Sequence, residues 1–105
     1  MDISSATDTG HLFYNCTKIT DVDISNWNLS NVTSLTSMFA CCRSLKSVHF
    51  GNTNFANLKG CGWMFDGCYS LILDCSNWII PSSASHDHFN SDAPGVVAPK
   101  IWAAK

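Results

Sequence analysis

Met38-Phe39-Ala40-Cys41-Cys42-Arg43-Ser44-Leu45 is echoed further along the chain by Met64-Phe65-Asp66-Gly67-Cys68-Tyr69-Ser70-Leu71. An earlier copy is legible in Leu12-Phe13, Cys16 and Ile19. Phe13, Phe39 and Phe65 therefore keep one step, as do Cys16, Cys42 and Cys68, and Ile19, Leu45 and Leu71. Asn31-Val32 likewise recurs as Asn57-Leu58. Several independent columns sharing one period are the signature of a repeat architecture, in which each unit buries its apolar face against its neighbours.

Each unit can be read physically. Ile19-x-x-Val22-x-Ile24 becomes Leu45-x-x-Val48-x-Phe50 and then, one residue shorter, Leu71-x-Leu73-x-Cys75. The closing alternation predicts a short strand with one face buried. A polar turn follows, and then Ser30 or Asn31 is placed to cap a short helix. Val32, Leu35, Met38 and Phe39 have the spacing of one helical face. Gly67 stands where such a helix ends in a left-handed residue, and Asn15 holds the same column. Cys41 shares that column but disfavours the conformation, so a different helix end, outside the left-handed region, is expected there. One strand plus one short helix per 26-residue coil predicts an α/β repeat: a short solenoid with a small parallel sheet. The expected organisation is an N-terminal cap at 1–11, repeats at 12–80, and an irregular C-terminal cap or anchor tail at 81–105 that begins at Pro81.

Size and composition agree with one small domain of 105 residues and 11.5 kDa. Charged residues are only 13% of the chain, every acid is Asp, and there is neither Glu nor Gln. Thirty residues are Asn, Ser or Thr, which favour turns and caps over a helical bundle. Six basic residues spread singly at a net charge of −2 give no electrostatic footprint for nucleic acid. No apolar run approaches the length of a membrane span. The start, Met1-Asp2-Ile3-Ser4, lacks a secretory signal, so the chain is expected either not to be secreted by its own signal or to be a mature piece or fragment.

The two quoted stretches resemble the "MFxGCxSL" signature of the 26-residue bacterial surface protein repeat, the BspA-like leucine-rich repeats. Asp23-Ile24-Ser25-Asn26-Trp27-Asn28-Leu29-Ser30-Asn31-Val32-Thr33 is similar to the family's "DLSNFxTSNVT" segment. The resemblance covers roughly residues 12–80. It departs at His49-Phe50-Gly51, in the shortened third strand and in the tail. It implies a leucine-rich-repeat-like solenoid of the kind found on bacterial surfaces, in lipoproteins and in viral and phage products, with adhesion or recognition as its role. It brings no catalytic residues.

Six cysteines in so short a chain suggest disulfides. The columns favour buried thiols instead: Cys16, Cys42 and Cys68 share a register beside Phe, Cys61 replaces Leu35, and Cys75 replaces Ile24 and Phe50. No C-x2-C pair is present, and neither a metal nor another cofactor is implied. Asp23, His49 and Asp74 share a register on the outer strand face, with Ser25 and Ser76 two positions on. That column is a candidate pH-sensitive contact surface. A Ser/His/Asp hydrolase is the sharp alternative, although no nucleophile elbow is visible. Asn26, Asn52 and Asn77 line the turn as a candidate amide ladder. Trp27 and Trp78 beside them either pack or form an aromatic platform. His86-Asp87-His88 offers two imidazoles, read as a solvated loop rather than a metal pair.

These readings lead to a non-enzymatic structural or recognition module at a virion surface, with a cell-surface adhesin fragment binding protein or glycan as the alternative. The expected partner is a protein, in a larger assembly or a homo-oligomer, contacted through residues 81–105 and above all through Ile101 and Trp102.

Overall fold

The computed structural model describes residues 9–51 and 53–102. Four short strands follow one another: β1 at Asp21–Ile24, β2 at Ser47–Phe50, β3 at Leu73–Asp74 and β4 at Val96–Val97. β1 pairs in parallel with β2, Val22 against Val48 and Asp23 against His49, so that partners are one full repeat apart. β3 pairs in parallel with β4, Leu73 against Val96. These are two separate two-stranded sheets. The third unit is one residue short between Leu71 and Cys75, so its strand cannot keep the full register with β2. A single bond from Ile72 N–H to the Lys46 carbonyl, at 3.3 Å, crosses the gap.

The stretch expected to be helical is not a helix. The only helical element among the described residues is a 3-10 turn at Lys100–Trp102. In place of each helix the chain makes three overlapping turns that advance by two residues. Met38 N–H bonds the Leu35 carbonyl, Ala40 bonds Ser37, and Cys42 bonds Phe39, each at 3.2 Å. The intervening N–H groups point out of the unit to the next one: Leu35 to the Gly60 carbonyl, Ser37 to Gly62, Phe39 to Met64 and Cys41 to Asp66, at 2.7–2.9 Å. The same four bonds run from Thr9, His11, Phe13 and Asn15 to residues 34–40. They run again from Cys61, Trp63, Phe65 and Gly67 to residues 85–91. An α-helix would spend every N–H inside its own segment. This ribbon divides them, half within the turns and half between units, so each ribbon is bonded to at least one neighbouring unit, as donor, as acceptor or as both.

The turns impose two columns of left-handed residues. One is His11, Ser37, Trp63 and His88, with φ between 56° and 62°; the other is Asn15, Cys41, Gly67 and Asp92, with φ between 56° and 77°. Cys41, at φ 64°, overturns the expectation that it would avoid this conformation. It occupies the third position of a turn, where positive φ is required, and the bond to Asp66 holds it there.

The turn ribbon continues past Pro81. Ser85 bridges Gly60, and residues 85–91 accept the third unit's N–H groups. His88 and Asp92 take the left-handed positions, and Val96–Val97 supplies the strand. Residues 84–102 thus form a fourth, shortened unit where an irregular tail was expected. Of the expected N-terminal cap, residues 1–8 lie outside the described residues. Residues 9–11 already belong to the first ribbon.

The core runs along the stacking direction. Phe13, Phe39 and Phe65 stack with centroids 5.2 and 5.5 Å apart and planes within 5° of parallel. Met38, Leu35, Leu45, Met64, Leu71 and the residues around them are fully buried beside the rings. Asn90 takes the ring position in the fourth unit and binds the Val96 carbonyl through Nδ2 at 2.8 Å. Phe89, one residue earlier, meets Phe65 edge-on.

Candidate functional site

The outer face of the β1–β2 pair is polar because alternate strand residues point away from the core. Asp21, Asp23 and His49 are exposed there. His49 lies opposite Asp23 in the strand register, yet its imidazole turns to the diagonal neighbour: Nε2 lies 3.0 Å from Asp21 Oδ1. The Ser47 hydroxyl donates to the same oxygen in a short contact. Asp21 and Ser47 are therefore the site residues that the sequence columns did not single out. Their signal is an Asp and a Ser one repeat period apart on the same strand face.

The carboxylates are held in their charged form. The Ser47 hydroxyl, ahead of the His49 ring, keeps Asp21 below its ordinary range. Asp23 is lowered by Ser25, whose hydroxyl and N–H both bond Oδ1, at 2.6 and 3.0 Å. Asp74 is lowered by Ser76 in the same manner, with Lys100 adding its charge. Asp23-x-Ser25, Asn28-x-Ser30 and Asp74-x-Ser76 thus share one turn-locking device. Ser25 and Ser76 serve the turns and do not reach His49.

This geometry separates the components a hydrolase would join. A serine nucleophile needs the imidazole between itself and the carboxylate. Here Asp21 stands between Ser47 and His49, and Ser25 is bound to Asp23. Asp74 lies on the other sheet, paired with Val97. Beside it the outer face turns apolar: Ile72 and Val97 are 75% and 52% exposed. The face thus passes from acid and imidazole to aliphatic along the stack.

The other candidates fall in several places. Asn26 and Asn77 are exposed at the turns, and Asn52 lies outside the described residues. Trp78 is buried, ringed by Phe50, Phe55, Phe65 and Phe89. Trp27 stacks beside Phe13. Both indoles extend the core and do not form an exposed platform. Ile101 is exposed. Trp102 is partly buried, stacked on His86 with centroids 4.0 Å apart and edge-on to Phe89.

The six cysteines are free thiols. The Cys42 thiol donates to the Phe13 carbonyl and the Cys68 thiol to the Phe39 carbonyl, each at 3.0 Å. This column therefore bonds one unit to the previous one. Burial pushes the Cys42 thiol up to about 11 and those of Cys61 and Cys68 to about 12. No cluster of three or more metal-ligating side chains occurs among the described residues. No helix there is long and apolar enough to cross a membrane.

Parallel registers whose step shortens along the stack, carried by strands and turn ribbons alike, define a protein of short tandem repeats. The chain belongs to the family described as "Mycoplasma protein of unknown function, DUF285", whose model matches residues 1–97. That surface-associated family is related to the BspA-like repeat proteins. No curated protein and no solved structure matches the chain.

Proposed function

We propose that the chain is a short leucine-rich-repeat-like solenoid that acts without catalysis, as a recognition module at a cell surface. The observation that carries this reading is the outer sheet face. It is a fixed array of side chains, with Asp21, Asp23, Ser47 and His49 at one end and Ile72 and Val97 at the other. Stacked repeats make such arrays rigid and replaceable residue by residue, which suits binding. The Mycoplasma family favours the cell surface over virion display. The mixed polar and apolar face fits a protein partner better than a glycan, which would call for an exposed aromatic platform.

The test uses antibody labelling of intact cells, together with binding of the purified chain to a panel of immobilised extracellular-matrix proteins and glycans. Labelling of intact cells, and binding to a protein that Ile72→Asp or His49→Ala abolishes without changing the circular dichroism, is the expected result. Absence of surface labelling refutes the location. Binding that survives both substitutions refutes the face.

A further inference from the structure

The two ends of the stack are complementary to each other. In every inter-unit step, N–H groups of one ribbon meet carbonyls of the next at fixed positions. In the last ribbon the equivalent donors include the N–H groups of His88, Asn90 and Asp92, and none of these three meets a backbone carbonyl among the described residues. In the first ribbon the equivalent acceptors include the carbonyls of Leu12 and Tyr14, which likewise receive no backbone N–H there. One end is a row of donors and the other a row of acceptors, both on the repeat register.

The shapes match as well. A groove of about 380 Å³ opens at the last unit, lined among others by Phe89, Asn90, Ala98, Pro99 and Trp102. It lies where Asn90 replaces a ring in the column of Phe13, Phe39 and Phe65. The indole Nε1 of Trp102 is buried without a hydrogen-bond partner. At the opposite end the Phe13 ring is half-buried, and Leu12 and Tyr14 are 42% and 51% exposed. Four layers about 4.8 Å apart fit the shortest molecular extent of 18 Å, leaving end faces of about 37 by 30 Å. A face of that size provides the roughly 800 Å² per partner of a standard interface.

We infer that the chain binds a second copy of itself head to tail, the first ribbon of one copy seated on the last ribbon of the other. Asn90 N–H donates to the Leu12 carbonyl of the second copy and Asp92 N–H to its Tyr14 carbonyl, continuing the ladder. The second copy's Phe13 ring enters the groove beside Phe89 and Trp102. Such a contact joins two different surfaces and does not close, so it propagates into a linear row. It leaves the outer sheet face free.

Sedimentation of the full chain in reducing buffer, over a concentration series, tests this. Wild type is expected to rise from 11.5 kDa through successive multiples. Leu12→Lys blocks the acceptor end and Ala98→Arg blocks the groove, so each variant alone should stay monomeric with unchanged circular dichroism. Mixed in equal amounts, they retain one good end each and should form dimers that stop at two. Amide exchange at Asn90 and Asp92 should slow in the assembled state. A wild type that remains monomeric at every concentration overturns the inference, as does one that stops at a dimer. Failure of the mixed variants to pair also overturns it. Because Ile72→Asp and His49→Ala leave both ends intact, they should assemble as wild type whether or not the outer face binds a partner.

Discussion

Replacing Phe39 with alanine should cost far more than replacing Phe13, although the two rings occupy the same repeat position. Phe39 is fully buried, with Phe13 on one side at 5.2 Å and Phe65 on the other at 5.5 Å, and Phe50 meets its edge. Truncation there opens a cavity between two rings that are each fixed by their own unit. The transfer and cavity terms for a buried Phe→Ala change total about 3–5 kcal/mol. Phe13 lies at the end of the column and is half-buried. Its loss lets water in and leaves no enclosed void, so about 1.5–2.5 kcal/mol is expected. For a domain whose whole stability is about 5–15 kcal/mol, the first change removes a large share and the second does not. Urea denaturation followed by tryptophan fluorescence reads both. With a slope of about 1.5 kcal/mol/M, the midpoint should fall by roughly 2–3 M for Phe39→Ala and by about half that for Phe13→Ala. Equal shifts would refute the argument, since they would mean that the stack does not hold its central ring more firmly than its end ring.

Other substitutions probe the ribbon and the polar face. Gly67→Ala meets Cys41 only at ordinary contact distances, so its cost is that of a left-handed alanine, about 1 kcal/mol by urea midpoint. Cys41→Gly should be neutral or stabilising by up to about 1 kcal/mol, because the left-handed strain it relieves offsets the entropy it adds; a loss above that range would show that the Cys41 side chain matters more than its backbone. In native protein without denaturant, only the half-exposed Cys16 and Cys41 should react quickly with a thiol reagent, whereas denatured protein should titrate all six. Lowered carboxylates stabilise the fold above their unfolded pKa near 4, and that contribution is lost as pH falls through the lower folded values. Asp21, lowered by Ser47 and His49, places its share in that acid window, so Asp21→Asn should lower the melting temperature at neutral pH and flatten its fall below about pH 4.

Much of the fold is legible because the columns are. Phe13, Phe39 and Phe65 are where the repeat period puts them, and the strands end where Val22-x-Ile24 and Val48-x-Phe50 alternate. The expected helix fails for a physical reason. Leu35, Met38, Phe39 and Cys42 point inward at spacings of three, one and three, and overlapping turns satisfy that pattern as well as a helix does. The discriminating signal is in the residue types, since Ser34, Thr36, Ser37 and Cys41 are poor helix formers in a chain without Glu or Gln. The fourth unit is hard to see because the step shrinks from 26 to 25 and then 23, and because Asn90 stands where a Phe is expected. In the site, straight registers do not bring out Asp21, because the imidazole bonds along the diagonal.

Strain and pairing together explain why one unit cannot be understood alone. The left-handed columns hold His11, Ser37, Trp63, His88, Asn15, Cys41 and Asp92 against a single glycine. Each non-glycine there costs roughly 1–2 kcal/mol of local strain, and local preference does not select most of them. The offset comes from bonds to an adjoining unit, each contributing about 0.5–1.5 kcal/mol net, four at each step between ribbons. Order within a ribbon is thus conditional on its neighbour. A peptide spanning residues 30–46, excised from the chain, should be unstructured in water by circular dichroism and show no amide protection, while the same residues are protected in the intact protein at Leu35, Ser37, Phe39 and Cys41. Helical signal in the isolated peptide would mean that the segment has a local preference which the stack overrides; persistent turn structure with positive φ at Ser37 and Cys41 would mean that the ribbon forms by itself. Either result would contradict the view that the bonds between units, rather than the residues within one, determine this backbone.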